Sequence, residues 1–382
     1  MKLVFRVMAV MLLIVSMAGV AFAADTIKIG GLFAVTGPAS FLGEPEKKTL
    51  ELLVQSLNAK GGVNGHKLEA VIYDTTGDAT KAVQLATKLI KNDKVVAIIG
   101  PSTTGESMAV LALTEKEHIP LISCAAGIKI TEPVKSRFWT FKTPANDHVA
   151  AEKILQFAAK HKQKNIALIT VTDGFGASGR EQLKTTAAKK GFKIVADETY
   201  GPKDTDMTPQ LTKIRASKAD AIICWGTNPG PAIIAKNIKQ LGIKMQVYMS
   251  HGVASKKFID LAGAPAAEGI ILPAGKLAVY EVLPAKDKQR ALLAAYDVAY
   301  KKRFGVEAST FGGYAYDGFT LLVNAIKSKG AQPAQIREGL EKSKNVPSVS
   351  GVFNMSPADH NGLNLSAFEM VRITKGDWAL TK

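Results

Sequence analysis

The polar loop that follows the apolar run Val95–Ile99 carries the residues best suited to bind an anion. The loop reads GPSTTG and precedes a stretch with helical apolar spacing. Thr103 and Glu106 have the spacing of a capping box, so a helix should begin there with the N–H groups of Thr104 and Gly105 unpaired. Free N–H groups beside small hydroxyls bind carboxylates and other anions. A simple helix cap without a ligand is the alternative interpretation.

The elements around this loop form a strand, loop, helix, strand pattern over Val95–Thr131. Met108–Leu113 has helical apolar spacing and Ile119–Ile122 is a second buried run, which is typical of a parallel βαβ unit. Ligands of open α/β sheets bind at the carboxyl ends of parallel strands. The unit therefore predicts a binding site at one edge of a parallel sheet.

The remaining sequence predicts two doubly wound α/β lobes, because strand and helix patterns alternate from Thr26 and restart after Pro144. The segments VVAIIGPSTTGESMAV and AIICWGTNPGPAII share one design, a buried strand that opens onto a polar loop and a helix. Two similar lobes imply a cleft between them. The tail beyond Leu272 should complete both lobes, so we expect residues 24–143 with 273–366 to form lobe 1, and 144–272 with 367–382 to form lobe 2.

The composition permits two domains with full cores, since 382 residues are 47% hydrophobic and 21% charged. Met1–Ala23 has two basic residues, an apolar run and a final A-x-A, which predicts a secretory signal peptide cleaved near Ala23. Without it, 47 basic and 33 acidic residues give a net charge of +14. The lysines are scattered without a basic arm, so we expect no nucleic-acid partner. Cys124 and Cys224 are expected to be two buried small side chains, although a bridge is the alternative.

The glycines of DGFGASGR match a dinucleotide-binding pattern through Gly174, Gly176 and Gly179. An NAD-linked enzyme is therefore one alternative. Against it, Phe175 would crowd a pyrophosphate, and two residues separate the strand from the first glycine. No catalytic or Walker motif occurs and the six histidines are dispersed, so we expect a binding protein without a cofactor or metal.

The segments TGPASFLG, NAKGGVNGHKLEAVIYD, VVAIIGPSTTGESMAV and IPLISCAAGIKIT together resemble the leucine/isoleucine/valine-binding family of periplasmic solute receptors of ABC transporters. The similarity runs over essentially the whole chain after Ala23. It implies a type I periplasmic binding fold, with two lobes, three hinge crossovers and a ligand enclosed by hinge bending. It also implies inner-membrane permease subunits as partners, a periplasmic location and a monomer. A sensor subunit of the same fold is an alternative that the sequence does not separate.

The resemblance assigns the ligand site residue by residue. Thr104 matches the carboxylate-binding hydroxyl, Phe175 the aromatic lid and Leu42 an aromatic position of the first loop. The remaining candidates flank these matches or lie in the corresponding loops: Thr103, Gly105, Ala126, Gly127, Trp225, Thr227, His251 and Phe41, with Phe311 and Tyr316 as weaker wall candidates.

Two positions depart from the amino-acid binders of this family. Gly127 stands where those proteins usually have Thr, and His251 stands where they have an acidic residue that pairs with the ligand ammonium. A histidine does not replace a carboxylate in that pair. The sequence therefore predicts an organic acid, with His251 facing a ring hydroxyl or a second carboxylate, and an aromatic acid is suggested by Phe175, Trp225 and Tyr316. A Leu/Ile/Val-like receptor is the alternative.

Overall fold

The computed structural model describes residues 26–381, so the predicted signal peptide lies outside the described residues. The first sheet contains five parallel strands in the order β2-β1-β3-β4-β5. Its strands are β1 Ile27–Phe33, β2 Leu68–Asp74, β3 Ile98–Ile99, β4 Leu121–Ser123 and β5 Thr140–Lys142. Only the last two residues of the predicted strand Val95–Ile99 form β3, although Val96 and Ala97 also bond the backbone of β1.

The second sheet contains seven strands, and the last two in sequence join it through antiparallel pairing with their neighbours. Its members are β6 Asn165–Val171, β7 Lys193–Tyr200, β8 Ala221–Trp225, β9 Gln246–Met249, β10 Ile271–Gly275, β13 Phe368–Thr374 and β14 Asp377–Leu380; the short strands β11 Val346–Pro347 and β12 Val352–Phe353 pair only with each other. The order in the second sheet is β14-β13-β10-β9-β8-β6-β7.

Helices follow most strands of the two large sheets. They are α1 Ser40–Ala59, α2 Ala79–Lys88, α3 Thr104–Glu117, α4 Asp147–Lys160, α5 Gly174–Lys189, α6 Thr208–Ala216, α7 Gly230–Gln240, α8 Lys256–Ala262, α9 Ala264–Ala267, α10 Arg290–Phe304, α11 Thr310–Lys329 and α12 Pro333–Glu341. Within residues 26–381, no helix is both long and apolar enough to cross a membrane.

Both large sheets are covered by helices on both faces. In the first lobe, Leu50 of α1 and Phe319 of α11 are buried with Phe33 on one face, and α2 and α3 cover the opposite face. In the second lobe, α4 and α5 cover one face while α6, α7 and α8 cover the other. Burial on both faces explains why the strands read as continuous apolar runs. The predicted doubly wound α/β class is confirmed.

The chain passes between the lobes three times, after β5, after β10 and before β13. Strand β10 extends to Gly275, so sheet membership places the second crossing after this residue and not after Leu272. Cys124 and Cys224 lie in different lobes, and both are buried and free.

Candidate functional site

A cavity of about 340 Å³ lies between the two lobes. The loops and helix N-termini that follow the strands of both sheets line it, as expected for a site at the carboxyl ends of parallel strands. Residues of the first lobe form one wall, here called the first wall, and residues 171–252 of the second lobe form the second wall. A volume of this size suits a small organic molecule.

The first wall is built on the N-terminus of α3. The predicted capping box is present: Thr103 Oγ1 accepts the N–H of Glu106 at 3.2 Å, and Glu106 Oε2 accepts the N–H of Thr103 at 3.2 Å. The N–H groups of Thr104 and Gly105 lie in the first turn, where the helix itself offers no acceptor. Both residues line the cavity, so the helix N-terminus faces the ligand space.

The hydroxyl of Thr104 is held by the neighbouring loop. Its Oγ1 accepts the N–H of Gly127 at 3.3 Å, and among residues 26–381 no acceptor is found for its own hydrogen. The O–H can therefore donate into the cavity. Gly127 does not line the cavity, but a Cβ there would lie 2.5 Å from Thr104 Cγ2, so glycine allows this close approach.

Ser102 connects the first wall to a buried carboxyl group. Its hydroxyl donates to Glu46 and accepts the N–H of Ala34 at 3.0 Å. Burial raises the pKa of Glu46 well above its usual value, and the Ser102 hydrogen bond opposes this only in part. The hydroxyl oxygens of Ser102, Thr103 and Thr104 thus each have a partner in the lobe, and the hydrogen of Thr104 remains available to a ligand.

The second wall begins at α5, whose N-terminus faces that of α3. Asp173 lines the cavity and caps α5, accepting the N–H of Gly176 at 2.8 Å. A Cβ on Gly174 would lie 3.4 Å from Thr104 Cγ2, so the lobes meet at this point. Beside it, Lys129 of the first lobe pairs with Glu181 of the second at 2.8 Å. These contacts across the cleft define a closed arrangement.

Phe175 lines the second wall and is supported by Trp225 and His251. Its ring centroid lies 5.6 Å from that of Trp225 and 5.4 Å from that of His251. Trp225 is fully buried and lies behind Phe175, outside the cavity lining. Its role is therefore to hold the Phe175 ring in place.

His251 presents a neutral imidazole to the cavity. It belongs to a short 3-10 helix after β9, and neither ring nitrogen has a hydrogen-bond partner among residues 26–381. The nearest carboxylate oxygen, Asp147 Oδ1, is 4.0 Å from Nε2. Burial, and secondarily the charge of Lys142, lowers the pKa of His251 to about 3. The ring therefore offers one donor and one acceptor, without charge.

Two further polar residues of the second wall were not predicted from the sequence. Asn228 is 5% exposed, and neither atom of its amide has a partner among the described residues. The hydroxyl of Tyr200, which is 2% exposed, lies beside the Cys224 thiol. Close contacts with Gly226 and Gly230 hold the Tyr200 ring against the loop that carries Asn228. The one available sequence signal was the position of Asn228 in the polar loop of AIICWGTNPGPAII, directly after the buried run. Tyr200 is the last residue of β7.

Most of the predicted site residues line the cavity. These are Thr103, Thr104, Gly105, Ala126, Phe175, Thr227, His251, Leu42 and Phe41, together with Phe311. Gly127 and Trp225 lie just behind the lining. Tyr316 is not among the lining residues and packs on Tyr296 with centroids 4.9 Å apart, whereas Tyr314 of the same helix lines the cavity.

The glycine pattern of α5 is explained by packing. A Cβ on Gly176 would lie 1.8 Å from the carbonyl oxygen of Val171, and a Cβ on Gly179 would lie 2.1 Å from the Trp225 indole. These glycines let α5 pack closely on β6 and β8, so the dinucleotide interpretation has no support. In the part of the chain that the structure describes, no group of three or more His, Cys, Asp or Glu side chains is placed to hold a metal.

Two doubly wound lobes that close over a cavity at their carboxyl edges define a bilobed solute-binding protein of the type I class. A family model described as periplasmic binding protein matches residues 26–377. The chain belongs to this family, in its leucine/isoleucine/valine-binding branch, and the resemblance stated above is confirmed.

Individual relatives support this assignment. The chain is 27% identical over 332 residues to a leucine-, isoleucine-, valine-, threonine- and alanine-binding protein of Pseudomonas aeruginosa, covering 86% of this chain and 85% of that protein. An extracellular ligand-binding receptor from Rhodopseudomonas palustris superposes with a TM-score of 0.87 at 32% identity, covering 94% of this chain and 100% of the receptor. The isoleucine complex of a Streptococcus pneumoniae substrate-binding protein superposes with a TM-score of 0.81 at 28% identity, covering 93% and 98%.

Proposed function

We propose that this protein captures a small carboxylate with an apolar, aromatic body and delivers it to an inner-membrane ABC permease. The observation that carries the proposal is the neutral His251 in the second wall, opposite the unpaired N–H groups at the N-terminus of α3 and the Thr104 hydrogen, which can donate to a ligand. The family, described as periplasmic binding protein, supports a periplasmic location, and we propose that the protein acts there as a monomer. No step of this function requires covalent chemistry.

The carboxylate would bind the first wall. The unpaired N–H groups of Thr104 and Gly105 and the Thr104 O–H supply hydrogen bonds, and the positive end of the α3 dipole attracts an anion. In the part of the chain that the structure describes, no Lys or Arg lines the cavity. The helix N-terminus is therefore the main recognition element for negative charge in this proposal.

The body of the ligand would lie among aromatic side chains. Phe41, Phe175, Phe311 and Tyr314 line the cavity, and Phe311 makes an edge contact with Phe41 at 5.6 Å. A flat apolar ligand gains dispersion and edge or stacked contacts with such rings. At its polar end, His251 and Asn228 would pair with a neutral group such as a ring hydroxyl, because both offer a donor and an acceptor.

An amino acid is the second candidate. Asp173 and Glu106 line the cavity, and Glu106 Oε1 has no hydrogen-bond partner. Burial raises the pKa of both carboxyl groups, and their capping bonds oppose this rise. An ammonium group could pair with either carboxylate, and the similar proteins named above include binders of leucine, isoleucine and valine.

Ligand capture would proceed by closure of the second wall onto a ligand bound at α3. Closure removes water from the cleft and thereby strengthens the remaining polar contacts. The closed surface would be the form that the permease recognises. Contacts such as the hydrogen bond from the Ile128 N–H to Ser178 Oγ at 3.3 Å would form at this step.

Calorimetric and thermal-shift titration of the mature chain, refolded to remove bound ligand, tests the proposal. The panel contains benzoate, hydroxybenzoates, aliphatic acids, leucine, isoleucine and valine. A ligand at 100 times its Kd adds about 2.7 kcal/mol to stability. We expect a shift with an aromatic acid and none with leucine. A shift with leucine or valine alone would replace the aromatic acid by the amino-acid candidate, and no shift with any acid would overturn carboxylate capture.

A further inference from the structure

Lys142 is a buried ammonium group just behind the first wall. It is the last residue of β5 and is fully buried. Its Nζ donates to the carbonyl oxygens of Ala126 at 2.6 Å and Pro144 at 3.2 Å. Among the residues that the structure describes, no carboxylate oxygen lies within 4.0 Å of this nitrogen. A buried charge without an ion pair is costly, so a compensating anion nearby would be favourable.

A single peptide unit connects this ammonium to the Thr104 hydroxyl. Lys142 bonds the carbonyl oxygen of Ala126, and the N–H on the other side of the same peptide, that of Gly127, donates to Thr104 Oγ1 at 3.3 Å. A cation on the carbonyl oxygen polarises the peptide and strengthens its N–H as a donor. The Thr104 oxygen then accepts more strongly, and its own hydrogen becomes the better donor toward the cavity.

We propose that Lys142 is a positioning residue that makes the cleft selective for carboxylates over neutral ligands, acting through the Ala126–Gly127 peptide and Thr104. This inference rests on the proposed capture of a carboxylate, and it holds for an aromatic acid and an amino acid alike. It supplies the positive charge that the cavity lining itself lacks, without exposing a lysine to the ligand.

Other charged groups surround Lys142, and they set the direction of its pH dependence. Asp147 at the start of α4 is its first electrostatic partner, and Glu132 and Asp359 act from two neighbouring segments. His148 of α4 also interacts with this charge, and burial lowers its pKa, while His251 is neutral. Burial lowers the pKa of Lys142 to about 8 and raises that of Asp147 to about 7. As pH rises through this range, both groups lose a proton and the cluster becomes more negative. Carboxylate affinity should therefore fall.

The experiment compares each acid with its amide in the full mature chain. The probes are 4-hydroxybenzoate with 4-hydroxybenzamide, and leucine with leucinamide. For the acid that binds, Lys142→Met should weaken binding about tenfold at pH 7, as expected for loss of a charge-assisted contact, and leave amide binding unchanged. Lys153→Met, which removes a half-buried lysine of α4, is the matched control and should leave both affinities unchanged. If neither acid binds, the proposed function itself fails and this inference with it.

The pH profile separates this role from a structural one. Between pH 6 and pH 9, the Kd of the unaltered protein for the acid should rise, whereas the profile of Lys142→Met should be flatter. Should Lys142→Met fail to fold, Asp147→Asn keeps the test open, because it removes the opposing negative charge and should tighten acid binding at pH 8. Equal losses for acid and amide in Lys142→Met, unchanged acid affinity in either variant, or a flat profile in the unaltered protein would each overturn the inference.

Discussion

The two walls of the cleft differ in how completely their neutral polar side chains are bonded within the described residues. On the first wall, Ser102, Thr103 and Thr104 each have partners in the surrounding lobe. On the second wall, the amide of Asn228 and both ring nitrogens of His251 have none. The hydroxyl side chains of the first wall are thus held in place by their own lobe. The Asn228 and His251 side chains of the second wall remain able to bond a ligand.

This difference indicates that the first wall supplies affinity for the carboxylate and the second wall supplies selectivity. Because its hydroxyl side chains are held in place by the lobe, the first wall can bind any small carboxylate at the unpaired N–H groups of the α3 N-terminus. An unbonded buried group costs about 1–3 kcal/mol unless a ligand satisfies it. The second wall therefore discriminates, since a ligand without a matching polar group would leave His251 and Asn228 unsatisfied.

The largest expected effect comes from the close packing of the α5 N-terminus, which the α3 N-terminus lacks. Gly176→Ala should destabilise the protein by about 3 kcal/mol or more, because the added Cβ would lie 1.8 Å from the Val171 carbonyl oxygen. Gly105→Ala is the matched control at the start of α3, where no heavy atom lies within 4 Å of the added Cβ. Its unfolding free energy should change by less than about 1 kcal/mol. Chemical denaturation measures both, and similar losses would contradict the difference in packing between the two helix N-termini.

Thr104→Val tests the first wall. It leaves the Gly127 N–H without its acceptor and the ligand without its donor. We expect a loss of about 1 kcal/mol in stability and about 2 kcal/mol in acid binding, a weakening of roughly 30-fold. Calorimetry with the acid identified in the panel measures the second effect. Unchanged acid affinity would exclude the carboxylate contact at Thr104.

His251 gives the second wall a defined response to acid. Its pKa is about 3 in the folded protein and about 6.5 when unfolded, so the unfolded chain binds the proton more readily and stability must fall as pH drops below 6.5. Between pH 7 and pH 5, the unaltered protein should lose about 2 kcal/mol relative to His251→Asn. Denaturation curves at both pH values provide the measurement. A difference that does not vary with pH would mean that the ring is not held neutral.

The smallest effect is the most specific to the comparison. Asn228→Leu removes an unbonded buried amide, so the unfolding free energy should stay constant or rise by about 1 kcal/mol, while binding of a hydroxylated acid weakens about fivefold. Binding of the unsubstituted acid should not weaken. Thr104→Val, in contrast, should lose both stability and affinity for the acid. A clear loss of stability in Asn228→Leu would show that its amide is bonded after all.

Local sequence patterns predicted the parts of the site that depend on local interactions. The capping box of Thr103 and Glu106 is confirmed because its partners are three residues apart. The start of helix α1 depends instead on a contact between distant segments. The helix begins at Ser40 although Pro45 lies inside it. Its first turn packs on the Ala34 backbone, which leaves no room for a Cβ at Gly43.

The second wall was predicted less completely because its geometry depends on contacts between distant segments. Tyr200 reaches the loop that holds Asn228 from a neighbouring part of the sheet, and no local spacing encodes that reach. Lys142 looked like one basic residue among many, since its burial depends on the carbonyl oxygens of Ala126 and Pro144 meeting behind β5. Tyr316 was the predicted wall candidate, whereas Tyr314, which lies two residues away and therefore on another face of α11, lines the cavity.

The position of α11 has a consequence for the order in which the molecule folds. Helix α11 covers one face of the first sheet, yet it is synthesised only after β6 to β10 of the second lobe. A nascent first lobe therefore exposes an apolar sheet face while most of the second lobe is being made. Such exposed surface favours misassembly, so this chain should depend on a chaperone, or on delayed folding, until Lys329 has emerged.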